Sequence, residues 1–103
     1  MVKTFTDVKR KLVGLLGAEI GQLEKYSNSW DGDEFEQKKQ VMIQTINGIK
    51  IADVNEGNSK NEIRSQNEIL QKIVDALKGD QVNVRKIRAL FNIFKGLPIN
   101  KGL

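Results

Sequence analysis

NVRKIRALFNIFK, residues 83–95, is the stretch of sequence that indicates the fold class most directly. Residues spaced three and four apart share one face of an α-helix, because successive residues turn by about 100°. The apolar residues that share such a face here are Val84, Ile87, Leu90, Phe91 and Phe94. Asn83 is a favourable N-cap residue, and Gly96 followed by Pro98 is typical of a helix end. The stretch therefore predicts an amphipathic helix whose apolar face packs against a core.

The longest helical period lies near the N-terminus, from Phe5 to Tyr26, where apolar residues recur on one side of the helix. Gly14, Gly17 and Gly21 collect on the opposite side. Each glycine costs a helix about 1 kcal/mol relative to alanine, so three in one helix need an explanation. One explanation is a helix-contact face that a second helix approaches closely, including a helix from another subunit of a homo-oligomer. The alternative is that they are tolerated on an exposed face.

Two further segments complete the secondary structure. Residues 59–79 predict a helix, since Ser59 and Glu62 have capping-box spacing and Gly79 suits a helix end. Residues 34–54 also have a helical period, which is the interpretation we adopt. The competing interpretation is a β-hairpin over residues 41–54 that turns at Asn47-Gly48. A hairpin is less favourable because a two-stranded ribbon is marginally stable without further strands, and the chain offers no other strand.

The fold class that follows is all-α, a small four-helix bundle-like single domain. The alternative is an α+β fold with a short hairpin at 41–54. The chain has 103 residues, which is the size of one domain. We expect residues 1–96 to form the helical domain and 97–103 to be a short C-terminal tail. Within the bundle, we expect the first and third helices to form the central pair, with a core that includes Leu12, Leu16, Ile20, Leu70, Ile73 and Leu77.

Composition argues against several classes of enzyme and metalloprotein. The chain has no cysteine and no histidine, which excludes disulfides, Cys/His zinc sites, and thiol or imidazole catalysis. Neither a dinucleotide-binding nor a phosphate-binding glycine loop is present. An acidic group near the start of the second helix lacks calcium-loop spacing and is instead what a helix dipole favours: Asp31, Asp33, Glu34 and Glu36. We therefore expect no catalytic residue, no metal site and no small-molecule cofactor.

The distribution of charge points to the last helix as a binding surface. The net charge is +4, and Asp80 is the last acidic residue of the chain. The residues that form a polar stripe on this helix are Arg85, Arg88, Asn92 and Lys95. Arginine and asparagine are residue types that contact phosphates and base edges. A cationic stripe also suits an acidic protein surface.

These patterns favour a small, non-enzymatic binding protein that uses its basic C-terminal helix, with nucleic acid as the partner and a regulatory or assembly role. The alternative is a protein-partner-binding helical bundle, such as an inhibitor, assembly factor or immunity-type protein, with no nucleic-acid contact. The longest uncharged run near the N-terminus, residues 12–18, is too short to span a membrane, for which about 18 apolar residues are needed. With no cysteine in the chain, we expect a cytoplasmic protein.

Overall fold

The computed structural model describes residues 5–48, 60–79 and 81–97. Within these ranges the chain forms no strand. The helices are α1 (Phe5–Tyr26), a short 3₁₀ helix (Ser27–Ser29), α2 (Gly32–Gly48), α3 (Lys60–Lys78) and α4 (Val84–Gly96). The all-α, four-helix bundle-like fold predicted from the sequence is confirmed. No helix in the described part of the chain is long and apolar enough to cross a membrane.

The helices form a closed ring in which each contacts two others. α1 packs on α2, α2 on α3, α3 on α4, and α4 returns to α1. Consecutive helices thus lie side by side, and the contact between α4 and α1 completes the ring. α1 and α3 therefore lie diagonally across the bundle, and the expectation that they form the central pair is wrong.

The core lies on the inner faces of all four helices. Leu12, Leu16, Ile20, Leu70, Ile73 and Leu77 are all buried, as the sequence predicted. The other buried core residues are Val8 and Leu23 of α1, Met42, Ile43 and Ile46 of α2, Val74 of α3, and Ile87, Phe91 and Phe94 of α4. Because every helix contributes its apolar stripe, no single helix pair holds the domain together.

The segment with two competing interpretations is helical as far as it is described. α2 continues through Gly48, so Asn47 and Gly48 are its last two residues and do not form a hairpin turn. Burial of three apolar residues spaced for a helix, Met42, Ile43 and Ile46, accounts for this outcome. The hairpin is therefore wrong for residues 41–48, whereas residues 49–54 lie outside the described part of the chain.

The start of α2 explains part of the acidic group in that region. The Asp31 side chain accepts a hydrogen bond of 2.8 Å from the backbone N–H of Glu34. The backbone carbonyl of Asp31 accepts one of 3.0 Å from the backbone N–H of Phe35. Asp31 is thus the N-cap of α2. The preceding Trp30 packs against the core, with its ring centroid 6.4 Å from that of Phe35. Trp30 covers this end of the bundle.

One carboxylate, Glu19, is half-buried between α1 and α2. The Thr45 hydroxyl oxygen lies 2.8 Å from the Val41 carbonyl oxygen and 3.1 Å from Glu19 Oε1. The hydroxyl has one proton, so it donates either to the Glu19 carboxylate or to the Val41 carbonyl at any one time. Burial raises the pKa of Glu19, the effect expected of a carboxyl group removed from water. The hydrogen bond from Thr45 and the charge of Lys38 lower this pKa and oppose the larger effect of burial.

Candidate binding surface between α1 and α4

α1 and α4 run antiparallel, and two contacts in the C-terminal half of α1 join them. A Cβ atom placed on Gly17 would lie only 3.2 Å from Cζ of Phe91. Seven residues after Gly17, Glu24 forms an ion pair with Arg88. The glycine face of α1 and the basic stripe of α4, which sequence reasoning identified separately, are therefore adjacent in the fold.

The three glycines are not equivalent. A Cβ atom on Gly14 or Gly21 would meet nothing within 4 Å, whereas one on Gly17 would press on the Phe91 ring. The close approach predicted for this face therefore occurs within the chain, at Gly17. Phe91 of the same chain occupies the space beside Gly17, and the use of this face by another subunit stays a prediction.

Arg88 is held by a carboxylate of the neighbouring helix. Its Nε donates a hydrogen bond of 2.9 Å to Glu24 Oε2, and a terminal N–H donates to Oε1. The guanidinium also lies 5.6 Å from the centroid of the Phe91 ring. Hydrogen bonding to Arg88 lowers the pKa of Glu24, and the same contact raises the pKa of Arg88. The charge of Arg88 is thus neutralised locally.

The other three residues of the predicted stripe are exposed. Arg85 and Asn92 face outward, and Lys95 places its Nζ 5.5 Å from the centroid of the Phe91 ring. The predicted stripe did not include Lys86, which is also exposed and follows Arg85 directly. The signal that could have identified it is the first turn of α4, which contains two cations and no acidic residue. A helix dipole disfavours that arrangement.

An open cavity of about 780 Å³ lies where α3 turns into α4. Arg85, Lys86 and the N-cap Asn83 line one side of it, and Asp75 and Gln81 of the preceding segment also contribute. The Asn83 side chain accepts a hydrogen bond of 3.1 Å from the Lys86 backbone N–H, which confirms the predicted N-cap. The start of α4 is therefore both well defined and accessible.

Lys9 secures the other end of the contact between α1 and α4. Only 4% of its surface is exposed, and Nζ donates a hydrogen bond of 2.7 Å to the Leu97 carbonyl oxygen. The same ammonium lies 4.8 Å from the centroid of the Phe94 ring. Burial lowers the pKa of Lys9 to about 8. Sequence reasoning missed this residue, although it lies seven residues before Leu16 and hence on the apolar side of α1.

The first prediction concerns the space at Gly17. We expect Gly17→Leu to destabilise the fold by about 1–3 kcal/mol, because the added side chain must displace Phe91. Gly14→Leu, three residues earlier on the same helix, should instead leave stability unchanged or raise it by up to about 1 kcal/mol through helix propensity. Urea denaturation of the two variants measures both effects. Equal behaviour of the pair would show that Phe91 does not pack against Gly17.

The second prediction concerns pH. The pKa of Lys9 is about 8 in the folded chain and 10.5 ordinarily, so between these values the unfolded state binds more protons. Stability should therefore rise with pH across this window, relative to a Lys9→Met variant that lacks the titrating group. Lys11→Met removes an exposed lysine of the same helix and should follow the wild type. Denaturation curves at several pH values test this, and parallel profiles for wild type and Lys9→Met would contradict it.

Comparison with known proteins gives no guide to the role of this surface. No protein-family model, curated protein or solved structure matches the chain.

Proposed function

We propose that this chain is a small, non-enzymatic helical binding protein that binds the phosphate backbone of a nucleic acid through α4. The proposal is supported by the charge of that helix. α4 contains four cationic side chains and no acidic one, and only Arg88 is paired with a carboxylate in the described part of the chain. Arg85, Lys86 and Lys95 remain exposed and available to phosphates.

The observation that carries this proposal is the first turn of α4. Arg85 and Lys86 lie there, at the end of the helix where the dipole is already positive. Cations at this position are unfavourable in the free protein, whereas an anion at a helix N-terminus is stabilised by the dipole and by the neighbouring cations. An arrangement that disfavours the isolated fold and favours an anionic ligand is typical of a binding site.

The remaining exposed residues extend this surface along the helix. Arg85 and Lys95 are about 15 Å apart along the axis, at 1.5 Å per residue. Asn92 lies between them, and an asparagine amide can pair with an adenine edge. Three cations are too few for tight binding, so we propose a regulatory or assembly role in which other contacts add affinity.

A protein partner is the second candidate, and exposed apolar side chains favour it. Ile93 is 49% exposed on the outer side of α4, beside Asn92. Leu15 of α1 and Val41 of α2 are also exposed apolar residues. Apolar groups contribute more to contact with a protein than with phosphates. On this alternative, the chain is an inhibitor, assembly factor or immunity-type protein with no nucleic-acid contact.

The third prediction tests the nucleic-acid proposal. Fluorescence anisotropy with a labelled DNA duplex should show log K falling linearly with log salt, at a slope of about −0.9 per phosphate contact. Contacts from Arg85, Lys86 and Lys95 predict a slope of about −2.7. Arg85→Gln or Lys86→Gln should each make it shallower by about 0.9. Lys72→Gln, which removes an exposed cation from α3, is the matched control and should change the slope little.

Two results would contradict the proposal. The first is no binding of duplex or single-stranded oligonucleotide at low salt. The second is an equal effect of Lys72→Gln and Arg85→Gln, because binding would then depend on net charge and not on α4.

A further inference from the structure

On the basis of this proposed function, we propose that Glu24 of α1 is an intramolecular competitor for nucleic acid. Its carboxylate binds the Arg88 guanidinium in the position that a backbone phosphate would take. It thereby limits the affinity of α4 for nucleic acid. Arg88, the cation closest to the middle of the basic stripe, is thereby unavailable to phosphates. Glu24 would then determine how strongly the surface binds.

The geometry of the pair supports this substitution. Arg88 donates through Nε and a terminal N–H to the two different oxygens of Glu24. A guanidinium presents these N–H groups as a planar fork, which matches a carboxylate and a phosphate equally well. The contact that Arg88 makes to Glu24 is therefore the contact it would make to a phosphodiester.

Arg88 is also fixed in place independently of Glu24. Its guanidinium stacks over Phe91, whose ring is anchored in the core against Gly17. Lys95 approaches the same ring, at 5.5 Å. With the carboxylate removed, Arg88 would keep this support and would add a cation between Arg85 and Lys95.

The pair is accessible enough for this exchange. The side chains of Arg88 and Glu24 are 32% and 37% exposed, so water and ligands reach them. Partly exposed ion pairs contribute little to folding, and the chain should fold without this one. Glu24 has a second effect, because a carboxylate beside the surface also repels phosphates. The experiment has to separate release of Arg88 from loss of this repulsion.

The fourth prediction uses a double-mutant cycle with the same labelled duplex. Glu24→Gln should tighten binding at low salt and make the slope of log K against log salt steeper by about 0.9, the value for one added phosphate contact. Arg88→Gln alone should change the slope much less, because Arg88 is already occupied. The double variant Glu24→Gln with Arg88→Gln should lose the gain. Glu68→Gln, which removes an exposed carboxylate of α3, is the control for net charge.

The possible outcomes distinguish this inference from the proposed function. A gain for Glu24→Gln that exceeds Glu68→Gln and disappears in the double variant supports it. If Glu24→Gln and Glu68→Gln behave alike, or if the gain persists without Arg88, the competitor role is overturned while wild-type binding still supports the function of α4. Absence of binding by every variant overturns both. Circular dichroism of each variant establishes that it is folded.

Discussion

The contact between the Phe91 ring and the backbone of Gly17 is the constraint on which the binding surface depends. A side chain on Gly17 would occupy the space that the ring fills, since even a Cβ would lie 3.2 Å from it. With the ring in this position, α4 runs antiparallel to α1, which places Arg88 beside Glu24 and Leu97 beside Lys9. The contact thus determines which cations of α4 are paired and which face outward.

The stability of the core allows α4 to have an unfavourable charge pattern. Ile87, Phe91 and Phe94 are fully or almost fully buried, and each such side chain contributes about 1.5–3 kcal/mol. Two cations in the first turn of a helix each cost about 0.3–1 kcal/mol, so the apolar face offsets them. Packing therefore positions α4, while its outer face is available for binding. Arg88 lies on the side of α4 that borders α1, where it pairs with Glu24. It therefore belongs neither to the apolar face nor to the outer face of α4.

Helical periodicity and capping residues were sufficient to predict the elements and the core. Asn83 caps α4, and the residues expected in the core are buried, because both features depend on local spacing. The arrangement of the helices could not be predicted in this way, and the expectation that α1 and α3 form the central pair was wrong. Arg88 and its partner are 64 residues apart in the sequence, and periodicity has no information about contacts between helices. The hydrogen bond from Lys9 to the Leu97 carbonyl could not be predicted for the same reason.

A map of the surface that contacts nucleic acid tests the role of α4 most directly. Amide chemical shifts of ¹⁵N-labelled protein, followed by NMR during titration with a short DNA duplex, provide it. We expect the largest shifts in the first turn of α4, at Arg85 and Lys86, with further shifts along the helix to Lys95. Shifts concentrated on the acidic start of α2, or spread evenly over the bundle, would contradict this role.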